Sequence, residues 1–262
     1  MNCTETKVPT GDTYLNEIRF GKGSKHLLII SGVTLCGLEG QGKAVAKQYQ
    51  AMADDYTVWL VERRRILPAG FSVEDMADDI AHAMDALQLP PMPVYGVSQG
   101  GMIAQSLAIR HPERVTALVL CATMCRVTDT LRETARRWLD LAHQHDVVQL
   151  NRSFFRDVYS PAFLDGVRDL LPTLEQQGTA ADCERFAILM EACLRFDVSH
   201  ALDDLRCPVL VIGDKNDRVI GPEGSLELQK RLHCPMHLYD CYSHAVYDEA
   251  PDLQQRLMQF LG

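Results

Sequence analysis

The chain has 262 residues, of which 47% are hydrophobic, and this is enough for one α/β domain with a substantial core. Its 26 Lys and Arg against 35 Asp and Glu give a formal net charge of −9, which argues against nucleic acid or an anionic membrane as a partner. The nine cysteines form no C-x-x-C pair, which indicates free thiols. Residues 1–11 are polar and do not resemble a signal peptide. No apolar run approaches the ~18–20 residues of a membrane span. We therefore expect a cytoplasmic protein with free thiols.

Short apolar runs alternate along the chain with longer segments of helical periodicity. Residues 14–20, the Gly21-Lys22-Gly23 segment and a first buried strand at 27–30 predict a hairpin at an antiparallel edge. Further strands are predicted at 57–61, 93–97, 116–120, 209–212 and 236–239, with intervening helices near 42–53, 72–87 and 99–110. Because continuous apolar runs indicate strands covered on both faces, the pattern predicts an α/β fold with a mainly parallel, doubly wound sheet of about eight strands.

The stretch from Arg126 to His200 interrupts this alternation. It contains helical patterns at 131–143, 147–155 and 182–194 and no convincing strand. An ordinary crossover needs only a dozen or more residues, so an insertion of this size favours a separate helical cap. We expect a core formed by residues 1–125 and 201–262, with a cap of residues 126–200 inserted after the sixth strand.

The pentapeptide Gly96-Val97-Ser98-Gln99-Gly100 lies where a predicted strand gives way to a helix. In this context G-x-S-x-G predicts a nucleophile elbow, a strained turn that exposes a serine hydroxyl at the end of the sheet. The small flanking residues allow the turn to pack closely against its neighbours. Ser98 is therefore the candidate nucleophile, and it requires a histidine base and an acid that orients the base.

In this architecture the acid follows the serine in the chain and lies in a loop after a strand. Asp214 and Asp217 both follow the strand at 209–212. Asp217 stands at the far side of the loop before an apolar pair and is our candidate. Asp214, directly after Gly213, has the position of a turn-forming residue.

The base is expected after the last strand, in the loop at residues 240–244. Among nine histidines, His244 alone combines this loop position with the required chain order. The tetrahedral intermediate also needs two backbone N–H donors. Gln99, directly after the serine, supplies one, and Val33, in the glycine-containing loop after the first buried strand, is the expected second donor.

With these parts in register, the chain resembles the α/β-hydrolase fold superfamily over essentially its whole length. The segment at 96–105, G-V-S-Q-G-G-M-I-A-Q, with residues 110–115, resembles the branch of 3-oxoadipate enol-lactonases, small carboxylesterases and cofactor-free haloperoxidases. Residues 213–220 and 244–251 are similar to the acid loop and the histidine segment of that family.

Two segments depart from the family pattern. Ser31-Gly32 stands where relatives usually have His-Gly, and Glu62 to Gly70 replaces a glycine-rich loop that lines the site in relatives. Glu62 and Arg64 can occupy the Asp and Arg positions of that loop, but its glycines are missing. We interpret the run Arg63-Arg64-Arg65 as a solvated or scaffold-pairing cluster rather than a carboxylate-binding site.

The residues predict a serine hydrolase of the carboxylic ester class (EC 3.1.1) that cleaves a small ester or lactone through an acyl-serine intermediate. The alternatives are hydrolysis of a C–C bond in a ring-cleavage product by the same residues, promiscuous peracid chemistry, and a receptor-like protein that only binds a small ligand. We expect neither metal nor cofactor, and a monomer or homodimer. Turnover of a chromogenic ester separates enzyme from receptor.

Overall fold

The computed structural model describes residues 2–262. In this part of the chain the strands are β1 (Cys3–Thr10), β2 (Thr13–Gly21), β3 (Lys25–Ile30), β4 (Tyr56–Val61), β5 (Met92–Val97), β6 (Val115–Cys121), β7 (Val209–Asp214) and β8 (Met236–Tyr239). The α-helices are α1 (Gly42–Gln48), α2 (Val73–Ala86), α3 (Gln99–Arg110), α4 (Asp129–His143), α5 (Val147–Val158), α6 (Pro161–Gly166), α7 (Leu171–Leu174), α8 (Ala180–Arg195), α9 (Pro222–Leu232), α10 (Val246–Glu249) and α11 (Leu253–Leu261). Between Asn2 and Gly262, no helix is both long and apolar enough to cross a membrane.

The strands form one sheet, which in the described residues has eight strands in the order β1-β2-β4-β3-β5-β6-β7-β8. Its pairs from β4 through β8 are parallel, and β2 is antiparallel to both of its neighbours. Along β3, Leu28 and Ile30 belong to one hydrophobic core and Leu27 and Ile29 to another. Successive side chains point to opposite faces of a strand, so both faces of the sheet are covered. The predicted doubly wound α/β sheet is confirmed.

The predicted pairing of the first hairpin is wrong. Strand β2 pairs with β1, across a turn at residues 11–12, and with β4, whereas β3 pairs in parallel with β4 and β5. The segment from Gly21 to Gly23 runs against the backbone of residues 53–56, where a Cβ on Gly23 would collide with Asp55. It therefore crosses over the start of β4 instead of closing a hairpin. Strand β1 escaped prediction because most of its side chains are polar and exposed.

Five helices, α4 to α8, lie between β6 and β7. They enclose an aromatic cluster in which the ring centroid of Trp138 lies 5.0 Å from that of Phe154 and 6.1 Å from that of Phe186. Helix α4 packs mainly on α8 and α5. The helical patterns at 131–143, 147–155 and 182–194 correspond to α4, α5 and α8, and the shorter α6 and α7 were not predicted. The division into a core and a cap of residues 126–200 stays a prediction.

Candidate active site

Ser98 occupies the turn between β5 and α3, with φ +53° and ψ −120°. This is a strained backbone conformation for a residue with a side chain. The turn depends on Gly96, since a Cβ there would lie 2.5 Å from the carbonyl oxygen of Gly100 and 2.7 Å from the Ala104 Cβ. Thr123, two residues after the end of β6, stabilises the turn, because its hydroxyl donates a hydrogen bond to the Ser98 carbonyl at 2.7 Å. Local sterics therefore fix the position of the Ser98 hydroxyl.

Ser98, His244 and Asp217, predicted from separate loops, lie in one hydrogen-bonded chain. His244 Nε2 is 3.0 Å from Ser98 Oγ, and His244 Nδ1 is 2.8 Å from Asp217 Oδ2. Both the histidine and the aspartate are buried, with 2% and 5% of their surface exposed. Low exposure strengthens the interaction between them because little solvent screens it.

The two candidate acids occupy different positions. Asp217 Oδ1 accepts hydrogen bonds from the N–H groups of Val219 and Ile220 at 2.9 and 3.0 Å, which leaves Oδ2 directed at His244. Asp214, also buried, does not contact the histidine. Instead its Oδ1 accepts from Asn216, and its Oδ2 accepts from the loop after β8.

The contacts of Asp214 extend beyond the turn that the sequence suggested. Its Oδ2 accepts from the N–H groups of Cys241 and Tyr242 at 3.1 and 2.8 Å. These residues lead into the 3₁₀ turn Ser243–Ala245, in which Ser243 has φ +55°. Asp214 therefore ties β7 to the loop that positions His244. The sequence carried no signal for this contact, because it joins residues 27 and 28 positions apart.

Val33 and Gln99 line the same cavity as Ser98 and His244. Within residues 2–262, no acceptor is hydrogen bonded to the backbone N–H of either residue. Gln99 begins α3, where the N–H groups of a helix lack intrahelical acceptors. Gly32 brings the loop close, since a Cβ there would lie 3.2 Å from the Ser98 Cβ. Val33 and Gln99, which line this cavity, thus each have a backbone N–H without a protein acceptor.

Arg63 and Arg64 of the arginine run both make hydrogen bonds to other segments of the core. Arg63 is buried and donates to the carbonyls of Ser31 and Gly32 at 2.6 and 2.7 Å. Arg64 makes a bidentate pair with Asp79 of α2, with its Nε at 2.8 Å. Arg63 thereby supports the loop that carries Val33. Sequence reasoning did not identify this role, because the acceptors are backbone atoms of another loop.

The cavity above Ser98 is small and mostly apolar. It has a volume of about 20 Å³ and is walled by side chains of α3, α4, α5 and α8, including Met102, Trp138, Phe154 and Met190. Burial raises the pKa of the Cys193 thiol in this wall to about 11, so it is not a competing nucleophile at neutral pH. Gln99 reaches α8 by donating through Nε2 to the Leu189 carbonyl at 2.8 Å.

A larger outer chamber of about 210 Å³ adjoins this cavity. The two share Gly32, Val33, Phe154 and Tyr247 as common walls. The outer chamber adds the hydroxyl-bearing side chains of Tyr49 and Tyr159, and, like the cavity over Ser98, it is lined mainly by apolar groups. Across residues 2–262, no group of three His, Cys, Asp or Glu side chains is arranged to hold a metal ion.

Comparisons with known proteins point to one fold family. The sequence profile of the alpha/beta hydrolase fold matches residues 52–144. The chain is 25% identical over 246 residues to 3-oxoadipate enol-lactonase 2 of Acinetobacter baylyi, covering 92% of this chain and 90% of that protein. It is 29% identical over 170 residues to the pimeloyl-[acyl-carrier protein] methyl ester esterase of Neisseria meningitidis, covering 62% and 63%. The enol-lactonase structure from Burkholderia xenovorans superposes with a TM-score of 0.85 at 20% identity, covering 98% of this chain and 99% of that one.

Proposed function

The chain belongs to the α/β-hydrolase fold family, and we propose that it is a serine hydrolase that cleaves a small carboxylic ester or lactone. The observation that carries this proposal is the buried chain from Asp217 through His244 to Ser98, with contacts of 2.8 and 3.0 Å. The relatives support the reaction class, since those compared above are named as a lactonase and an ester esterase.

In the proposed first half-reaction, His244 Nε2 takes the proton of Ser98 Oγ as that oxygen attacks the carbonyl carbon. Asp217 holds the proton of Nδ1 and stabilises the imidazolium that forms. The N–H groups of Val33 and Gln99 donate to the developing oxyanion. When the intermediate collapses, the C–O bond breaks and His244 returns the proton to the departing oxygen, which leaves an acyl-Ser98 ester.

In the second half-reaction, His244 takes a proton from water, and the resulting hydroxide attacks the acyl carbon. Collapse of the second tetrahedral intermediate breaks the bond to Ser98 Oγ, and His244 returns the proton to the serine. The carboxylic acid is released and the enzyme is restored. On the protein side, the steps use the chain from Asp217 through His244 to Ser98 and the two proposed N–H donors.

The size of the two chambers supports a small substrate. The cavity over Ser98 holds about 20 Å³ and the outer chamber about 210 Å³. We propose that a short apolar group lies against Met102 and Trp138, while the larger part of the ester occupies the outer chamber beside Tyr49 and Tyr159. The proposed setting is the cytoplasm, with small molecules rather than nucleic acid or membranes as partners.

A panel of p-nitrophenyl esters and lactones of graded size tests this proposal. We expect the highest kcat/KM for short acyl chains, with a fall as the acyl group outgrows the inner cavity. The matched control is Ser98→Ala, which removes one oxygen atom and is expected to retain the fold. Absence of turnover on the whole panel would favour the C–C hydrolase or the ligand-binding alternative.

A further inference from the structure

A second cavity, which Ser98 does not line, lies beside the loop of residues 31–37. Its volume is about 270 Å³, and its walls include Asn16, Cys36, Glu62, Arg63, Arg65 and Arg185. Because a water molecule in the liquid takes up roughly 30 Å³, the cavity has room for a small organic ion with its hydration. Arg185 projects from α8, and Arg63 follows β4.

The guanidinium groups of this cavity have N–H donors to spare. Arg63 and Arg185 are 4% and 6% exposed. Within residues 2–262, Arg63 Nε and both Nε and Nη1 of Arg185 have no hydrogen-bond partner, and the same holds for Asn16 Nδ2. Buried donors without acceptors are costly, and the cost is greatest where the group carries charge.

The buried charges around the cavity do not cancel. Glu62 is the buried carboxylate, and its Oε1 is 3.7 Å from Arg185 Nη2, longer than a hydrogen bond. Its Oε2 accepts from the Leu38 N–H at 2.9 Å. Among the residues that line the cavity, two buried guanidinium groups face one buried carboxylate, so this set carries one excess positive charge. Burial lowers the pKa of Arg63 to about 10 and also lowers the pKa of Arg185.

The other charged groups of the cavity wall are already engaged. Arg65 pairs with Asp182 at 2.6 Å, and Glu39 at the rim pairs with Lys7 at 3.6 Å. One excess positive charge matches a monoanion better than a phosphate dianion. A carboxylate has two oxygens, and each can accept from a donor of a different arginine.

From these contacts we propose that the cavity binds a small carboxylate, held by Arg63, Arg185 and Asn16 and separate from the candidate active site. Arg63 is the link between the two places, since its Nη1 and Nη2 hold the carbonyls of Ser31 and Gly32. A bound carboxylate would fix the Arg63 side chain and, through it, the loop that carries Val33. The binding itself does not depend on the proposed hydrolase activity.

Thermal unfolding with acetate as the probe tests the proposal. In a buffer free of carboxylates, with sodium chloride at equal ionic strength as the reference, acetate at ten times its Kd is expected to raise Tm by about 3–6 °C. Arg185→Met should abolish the rise, whereas Arg136→Met, at an exposed site on α4, should retain it. An equal rise in Arg185→Met, or stabilisation by phosphate and not by acetate, would overturn the carboxylate site.

A chemical readout decides the question if Arg185→Met does not fold. Cys36 lines the cavity and is exposed, and Cys241 is an exposed cysteine elsewhere in the chain. In the unaltered protein, saturating acetate is expected to slow N-ethylmaleimide modification of Cys36 by up to about tenfold. Modification of Cys241 should be unchanged. No saturable protection of Cys36, or equal protection of both cysteines, would contradict the site.

Discussion

Replacing Asp217 by Asn tests most sharply the separate roles proposed for Ser98, His244 and Asp217. The carboxylate accepts two backbone N–H groups through Oδ1 and the His244 Nδ1 proton through Oδ2. An asparagine has only one oxygen, so it cannot accept both from the backbone N–H groups and from His244 Nδ1. If it faces the backbone, its NH₂ group faces Nδ1, and the proton of the imidazole moves to Nε2. His244 then cannot accept the serine proton.

The opposite orientation of the asparagine is also unfavourable. Its NH₂ group would face the N–H groups of Val219 and Ile220, and each buried donor left without an acceptor costs ~1–3 kcal/mol. The first orientation should therefore dominate. We expect kcat/KM to fall by about 10⁴-fold, which corresponds to ~5 kcal/mol of lost transition-state stabilisation.

The assay compares Asp217→Asn with Asp214→Asn on the best ester of the panel, with circular dichroism and Tm as controls for folding. Asp214→Asn removes one of two acceptor oxygens that together hold three N–H groups. We expect it to lower the free energy of unfolding by ~1–3 kcal/mol and kcat/KM by about tenfold or less. A folded Asp217→Asn that retains a tenth of the activity would refute the reasoning. The same holds if a folded Asp214→Asn loses as much activity as Asp217→Asn.

Three further predictions concern the surroundings of the serine. Phe154→Ala should join the two chambers, so kcat/KM for longer acyl chains should rise relative to kcat/KM for short ones. The loss in free energy of unfolding should be below the ~3–5 kcal/mol expected for a fully buried Phe. An unchanged dependence of kcat/KM on chain length would contradict the substrate placement. Burial raises the pKa of Cys193 to about 11, so inactivation by N-ethylmaleimide at this thiol should be slow at pH 7.5. Its rate should rise about tenfold per pH unit as the pH approaches the pKa, with Cys193→Ser as the control. Rapid inactivation at pH 7.5 that Cys193→Ser abolishes would contradict the buried position. Thr123→Val removes the donor to the Ser98 carbonyl, so denaturant unfolding should show a loss of ~1–2 kcal/mol; an unchanged midpoint would show that the bond does not support the turn.

The sequence predicted those strands and helices that are marked by a pattern within their own residues. The predicted bounds 99–110 and 236–239 are those of α3 and β8, because glycines and apolar runs mark them locally. Ser98, Asp217 and His244 follow β5, β7 and β8, which lie on one side of the sheet order. Chain order and the carboxyl ends of parallel strands were therefore enough to bring them together. Their catalytic roles stay predictions.

The sequence did not predict contacts between segments that lie far apart in the chain. The bond from Thr123 to the Ser98 carbonyl and those from Arg63 to Ser31 and Gly32 end on backbone atoms, which any residue provides. Strand β1 has too few apolar residues to produce a strand pattern, and helix α9 was likewise not predicted. Such features depend on tertiary register, which one sequence does not encode locally.

Fluorophosphonate labelling with peptide mapping tests the central claim most directly, because the reagent forms a covalent adduct only with an activated serine. The account predicts one adduct on Ser98, complete loss of labelling in Ser98→Ala, and a large loss in His244→Ala, since the base is 3.0 Å from the serine oxygen. His143 and His145 are exposed and lie near Glu191 and Glu184, so His143→Ala and His145→Ala are matched controls that should label at the rate of the unaltered protein. Labelling of a different residue, or of His244→Ala at the unaltered rate, would contradict the account.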